Sequence, residues 1–324
     1  MENMIAIKSE QFRKMGRIIA NYPSAIIWIV IVILLLITPF ISEGFLDPTH
    51  LLNVVRKASG LGIVAVGQTF VILTGGLDLS NGMVITLVDV VAATILNGKD
   101  TLLVPVVFLC LAIGASVGLM NGLLVTKLRI PSLVCTLGMF GILKGIAYVY
   151  TSGSPKGKIP PSLRLVGSGF VGPIPIAVFF WIGITILGVI VLRKTLFGRS
   201  LYAVGGNPKA ARLSGIQVNR VIVMAYVSSS LLAAIAGLVL SGYIGTGSLG
   251  LGDGYNLNSI AAVVVGGTAF SGGVGTVIGS AGGSLFLAIV FSLLRFLGLS
   301  YSNQLVVQGA ILAFAIYAHS RAER

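Results

Sequence analysis

Apolar runs long enough to cross a bilayer recur ten times along this chain, and that recurrence limits the possible folds more than any other feature. Breaking the sequence at charges, prolines and glycine clusters places the runs at 23–42, 58–77, 80–98, 102–126, 132–151, 174–192, 221–242, 257–272, 276–297 and 303–319. A helix rising 1.5 Å per residue needs roughly twenty residues to cross about 30 Å of hydrocarbon. Only 10% of the 324 residues are charged, against roughly a quarter in soluble domains. The expected fold class is therefore all-α: a polytopic membrane protein of about ten transmembrane helices, forming a single domain over 1–324. Residues 254–294 carry no charge at all. That is about twice what one helix needs, so a turn is expected near Ser271-Gly272-Gly273.

The formal net charge of +13 raises nucleic-acid binding as a function, but Lys and Arg sit mostly in loops beside apolar runs rather than on a polar domain. A topology signal explains them more simply. With the amino terminus inside, fourteen Lys and Arg fall on inner segments and seven on outer ones. Both termini are then cytoplasmic, with 1–22 an inner basic segment ahead of a retained first helix. The outer loop 152–173 is too short for a domain and reads as a docking surface or a cap.

The loop 193–220 holds six basic residues and no acidic one. Within it runs Gly205-Gly206-Asn207-Pro208-Lys209-Ala210-Ala211-Arg212-Leu213-Ser214-Gly215. Asn is a good helix cap, Pro fits the first helical position, and Gly takes the left-handed conformation that ends a helix. A helix this short is unstable alone in water, so it packs on the membrane part on one side and on a partner on the other.

Polar residues inside the apolar runs include Gln68, Thr69, Thr74, Asn121 and Thr136. Uncharged amides and hydroxyls suit a neutral, hydroxyl-rich solute, and bonds between helices account for each of them equally well. The turn Gly75-Gly76-Leu77-Asp78-Leu79-Ser80-Asn81-Gly82 puts an acid at membrane depth. Asp78 and Ser80 are expected to cap the helix that begins near 82, with contact to a translocation pathway as the other reading. Asp89 and Lys144 are the charges well inside predicted spans, and they are expected to pair, since pairing offsets part of the cost of burying each.

Glycines at 114, 118 and 122, at 275, 279 and 283, and at 141 and 145 repeat every fourth residue. Such spacing lets helix backbones approach closely within one bundle. Gly245-Thr246-Gly247-Ser248-Leu249-Gly250 matches a dinucleotide fingerprint by letters but lacks its strand and helix. No phosphate-binding loop ending in Gly-Lys-Ser/Thr occurs, so energy from a nucleotide must come through a partner. Cys110 and Cys135 lie in separate runs and read as small packing residues. His50 and His319 lie far apart, which gives no metal-ligand spacing and no catalytic set.

Together these segments resemble the permease subunits of bacterial ABC importers for ribose, xylose and galactose, in the superfamily that also holds branched-chain amino-acid permeases. The resemblance rests on Val66-Gly67-Gln68-Thr69 through Thr74-Gly75-Gly76-Leu77-Asp78-Leu79-Ser80, and on Gly118-Leu119-Met120-Asn121-Gly122 through Lys127 and Pro131 to Thr136-Leu137-Gly138-Met139. It continues through Gly198-Arg199, Gly205-Gly206-Asn207 and Gly215-Ile216, and ends with Ala261 to Thr268 followed by Gly272-Gly273-Val274-Gly275-Thr276. Asn81 and Asp89 depart from the pattern.

The resemblance implies a multi-pass protein of the bacterial inner membrane that imports a monosaccharide. Two permease chains, identical or homologous, form the pathway in the lipid bilayer, two cytoplasmic ATPase subunits carrying ATP and Mg drive it, and an extracellular binding protein delivers the solute. No cofactor binds this chain itself. Arg199, Asn207, Pro208, Lys209, Ala210, Ala211, Arg212, Leu213 and Gly215 would couple to the ATPase. Gln68, Thr69, Thr74, Asp78, Ser80, Asn121 and Thr136 would line the pathway, and Arg56, Lys57, Lys158 and Arg164 would dock the binding protein. A permease for branched-chain amino acids or nucleosides, or an ion-coupled secondary carrier, stands as the alternative.

Overall fold

The computed structural model describes residues 23–41 and 44–322; the expected basic segment 1–22 lies outside them. The described chain is almost entirely helical. Helix α1 (Pro23–Ile41) is followed by α2 (Pro48–Leu73), α3 (Asn81–Leu96), α4 (Leu103–Lys127) and α5 (Ser132–Thr151). The next connection carries α6 (Pro161–Ser168) and an antiparallel hairpin of β1 (Phe170–Val171) and β2 (Ile174–Pro175). Then come α7 (Ile176–Lys194), α8 (Leu196–Gly206), α9 (Pro208–Leu213), α10 (Val218–Ile244), α11 (Tyr255–Val265), α12 (Val277–Phe296) and α13 (Tyr301–Ala322). Each of the ten apolar runs overlaps one helix, the run 257–272 only as far as Val265. Those covering 100–127, 132–151, 176–194, 218–244 and 277–296 are long and apolar enough to cross a membrane.

Local chemistry sets the helix ends. Asp47 Oδ1 accepts from Thr49 N at 2.8 Å and His50 N at 3.2 Å, with Pro48 at the first position of α2. Those backbone donors hold the exposed Asp47 carboxyl below its ordinary pKa. Gly245, at φ +83°, ends α10 in the left-handed conformation. That capping role explains the first glycine of the false dinucleotide match.

Helix α10 is the centre of the packing, with α4, α2 and α3 laid against it. The expected glycine seam is visible on α4. A Cβ on Gly114, Gly118 or Gly122 would meet Ser230 O, Tyr226 O or Val223 Cα of α10 at 2.7, 2.5 and 2.7 Å. Backbone therefore lies on backbone, which suits a medium that provides no hydrophobic drive between helices. Gly279 and Gly283 of α12 do the same against Gly266 and Ala262 at the end of α11, and Gly275 sits against Thr268. The pair Gly141 and Gly145 differs: both face open space on α5, so among the described residues they pack against nothing.

Helix α11 departs most from the expected span 257–272. It has eleven residues, about 16 Å of rise, half of what the hydrocarbon requires. The segment before it, 245–254, is non-helical and lies against α3. Gly247 approaches Ala93, Ser248 N donates to Asp89 Oδ2 at 2.7 Å, and Gly252 N donates to Thr86 Oγ1 at 3.1 Å. Irregular backbone at membrane depth persists only where the protein satisfies its polar groups, and Asp89 and Thr86 do so here. The turn after α11 lies where expected, with Gly267, Gly272 and Gly273 at positive φ.

Two expectations are corrected. Asp89 is fully buried and engages Ser248, whereas Lys144 is exposed on α5. The residues of α5 that turn inward are Met139, Leu143 and Ala147; Lys144 lies one position off that stripe, about 100° round the helix, so it cannot reach Asp89. Nor do Asp78 and Ser80 cap α3. Ser80 makes no side-chain cap bond, and Asp78 Oδ1 instead accepts from Ser80 N at 3.0 Å and Ser80 Oγ at 2.6 Å, closing a local Asx turn.

Candidate functional site

The corner formed by α8 and α9 is built from its cap outward. Asn207, in an extended conformation at φ −158° and ψ 101°, accepts on Oδ1 from Lys209 N and Ala210 N, both at 3.0 Å. Pro208 starts α9, and Gly215 at φ +83° lets Gly215 N and Ile216 N fold back onto the carbonyls of Arg212 and Ala211. Ala211 is 4% exposed and packs in a cluster with Leu73, Leu201, Val204 and Val221. Leu213, on the other side of the same six-residue helix, is 90% exposed. Lys209, Ala210 and Arg212 of the same helix are exposed as well, and so is Arg199 on α8. The helix is thus anchored by one face and offers an apolar knob ringed with positive charge by the other.

This corner is tied to the ends of the long helices. Gly205 lies so close to Leu73 O and Gly273 N that a side chain would not fit. Tyr202 OH donates to Gly275 O at 2.8 Å. The corner thus contacts the end of α2 and the turn that leads into α12. Sequence reading missed α8 as a helix and Tyr202 as a link, because its apolar face is only three turns long and shows no break from the basic loop around it.

The residues expected along a pathway form a second group. Gln68, Thr69, Asp78, Ser80, Asn121 and Thr136 are all fully buried, and Thr74 is half-buried. Asn121 Nδ2 donates to Ser80 Oγ at 3.0 Å; Thr136 Oγ1 and Tyr226 OH donate to Leu77 O at 3.3 and 3.2 Å. The Gln68 amide, turned to face the Asp78 backbone, accepts from its N–H at 3.2 Å and donates to its carbonyl at 3.1 Å. Asn81 Nδ2 lies 2.9 Å from the same amide and donates to Ser229 Oγ at 3.1 Å. Thr69 stands apart, donating to Ala65 O and paired with Ser280 of α12. The arrangement ties the 74–80 turn to α2, α4, α5 and α10 and pairs its buried backbone groups with side chains. Asn81, Tyr226 and Ser229 were missed. The sequence signal was the Ser228-Ser229-Ser230 run inside an otherwise apolar span.

The four cations expected on the outer side are not alike. Lys158 and Arg164 are exposed on the connection that bears α6. That connection is pinned down: Gly98 N donates to Lys158 O at 2.7 Å and Ile159 N to Gly245 O at 3.0 Å, and α6 packs on the end of α10. Arg56 is half-buried, its guanidinium 4.7 Å from the Tyr243 ring centre and 5.5 Å from that of Phe170, while Lys57 beside it is exposed. Among the described residues no three His, Cys, Asp or Glu side chains gather in one place.

Residues 50–316 match the family described as branched-chain amino acid transport system / permease component. The chain belongs to this permease family. A ribose import permease protein of Bacillus subtilis is 38% identical to the permease over 287 residues, 88% of each chain. The ribose import permease protein of Escherichia coli K12 is 36% identical over 297 residues, 90% of this chain and 92% of the relative. The galactose/methyl galactoside import permease protein of the same strain is 36% identical over 308 residues, again covering 90% and 92%. No solved structure matches. The permease is a multi-pass protein of the bacterial cell membrane, which accounts for the band of exposed Leu, Ile, Val and Phe on α1, α4, α5 and α7.

Proposed function

We propose that the permease is the membrane conduit of a binding-protein-dependent ABC importer for a monosaccharide of the ribose or galactose type. The observation that carries this is α9: a capped helix held by Ala211 that presents Leu213 at 90% exposure amid Arg199, Lys209 and Arg212. Such a knob fits the groove of a partner, and the chain has no nucleotide loop of its own. In this reading the chain is one domain with ten spans and both termini in the cytoplasm. The short α11 completes its span with 245–254, as discontinuous helices do in other transporters. ATP and Mg are held by cytoplasmic ATPase subunits that receive α9. A second permease chain, identical or homologous, completes the conduit.

The relatives that import ribose and galactose support the sugar class. The test is uptake of a panel of labelled solutes by cells carrying the permease with its ATPase and binding protein. Ribose, xylose or galactose should accumulate, and branched-chain amino acids and nucleosides should not. Accumulation of leucine or a nucleoside in place of a pentose or hexose would overturn the sugar reading.

Of the four cations expected to dock the binding protein, Lys57, Lys158 and Arg164 are exposed, and in this reading Lys158 and Arg164, on the connection that bears α6, meet its acidic patches. Reversing both to glutamate is expected to slow docking about tenfold or more, and raised salt should slow the unaltered pair in the same way. Stopped-flow or surface-binding rates at two ionic strengths measure this. Rates that ignore both the charges and the salt would place docking elsewhere.

A further inference from the structure

A cavity of about 170 Å³ opens beside Arg56, between α2, α6, α7, α10 and α11. Its volume is close to that of engineered cavities, about 150 Å³, that take a benzene-sized molecule. Lys57, Tyr243, Tyr255, Leu251 and Gly167 are among the residues that line it, and no acidic side chain does. Arg56 enters along the rings of Tyr243 and Phe170 and donates from Nη2 to Asn53 Oδ1, yet its buried Nε has no partner. A buried guanidinium donor without an acceptor is unusual in a folded protein. Arg295, near the end of α12, lies close enough to repel Lys57, so three positive charges share this level without a counter-charge in the cavity.

The depth narrows the choice of ligand. Ala177 opens α7, Tyr243 stands near the last residue of α10, and Arg295 is in the last turn of α12. The ends of helices long enough to cross the hydrocarbon, as α7, α10 and α12 are, lie at the head-group level. An occupant must therefore combine a compact anion for Arg56 and Lys57 with an apolar portion for Leu251 and the tyrosine rings. Guanidinium groups match the planar oxygen pairs of phosphate.

We propose that this cavity is a binding site for a phosphate group carried by an anionic phospholipid, with Arg56 and Lys57 as its ligands. The site is distinct from the knob on α9 and from the docking cations Lys158 and Arg164. Its test does not depend on transport.

The experiment is native mass spectrometry of the purified permease complex exchanged into micelles containing phosphatidylglycerol, phosphatidylcholine or no phospholipid. One phosphatidylglycerol per permease chain should survive removal of the detergent, and phosphatidylcholine should be retained at least about tenfold less. The double variant Arg56→Gln/Lys57→Gln should lose the adduct. The milder Lys57→Gln, at an exposed position that tolerates change, should weaken it several-fold, whereas Lys144→Gln on α5 should leave it intact. Millimolar inorganic phosphate, or an acidic peptide, should not displace the lipid. An adduct that persists in both variants, or equal retention of the two lipids, would overturn the proposal. Displacement by free phosphate would assign the site to a soluble anion, and displacement by the acidic peptide would assign it to a protein partner.

Discussion

Replacing Leu213 with aspartate is expected to abolish uptake and to strip the ATPase from the purified permease, while leaving the permease itself folded. Leu213 is 90% exposed, so the change removes no contact within the chain. In the groove of a partner it replaces an apolar anchor with an unpaired charge. Anchors of this kind cost about 2 to 4 kcal/mol when lost, roughly 30- to 1000-fold in affinity. Ala210→Asp, on the same exposed side, should act in the same direction. Ala211→Asp would not be informative, because Ala211 belongs to the permease's own core and a charge there unfolds the corner. Copurification of the ATPase and vesicle uptake, measured on a variant whose melting temperature is unchanged, check the result. Normal copurification and uptake in Leu213→Asp would remove α9 as the coupling element.

The second large effect concerns the α4–α10 seam. In Gly118→Val the new Cβ would stand 2.5 Å from Tyr226 O and 2.6 Å from Val227 Cα. Both are backbone atoms of α10 and have no rotamer with which to yield. The helices must part, and the bond that α4 makes from Asn121 Nδ2 to Ser80 Oγ is strained with them. Overpacking of a tight core costs about 1 to 3 kcal/mol, and the strain on that buried bond adds to it. A several-fold drop in monodisperse yield and a clear fall in melting temperature are expected. Gly141→Val and Gly183→Val, whose added Cβ would meet nothing within 4 Å, should behave like the unaltered protein. Equal yields and melting temperatures for all three would show that the α4–α10 contact is looser than described.

Much of this was legible in the sequence because membranes make sequences explicit. Runs such as 221–242 and 276–297 announce helices by apolar length alone, and Asn207-Pro208 through Gly215 spells out a short capped helix by local rules that tertiary context did not override. The failures share one cause: side-chain direction is not written in spacing along the chain. Asp89 and Lys144 look like partners at similar depth until α5 turns Lys144 outward. Gly141 and Gly145 share their spacing with Gly118 and Gly122, but only the α4 pair meets another backbone. The half-helix α11 was hidden because 245–254 carries glycines that read as an ordinary loop, and nothing nearby in sequence shows that Asp89 and Thr86 wait to bond its amides. The residues expected along a pathway are polar groups in an apolar setting, and the hydrogen bonds of Gln68, Asn121 and Thr136 run to the 74–80 turn from three helices.

The central claim is that the permease has no fuel of its own and is driven through α9 by a nucleotide-burning partner. Sealed vesicles that hold the permease and its ATPase, with the binding protein and labelled sugar outside, test it most directly. The account predicts accumulation when ATP and Mg are inside, none with a non-hydrolysable nucleotide, and none when only a proton or sodium gradient is imposed. Accumulation driven by an ion gradient without nucleotide would contradict it.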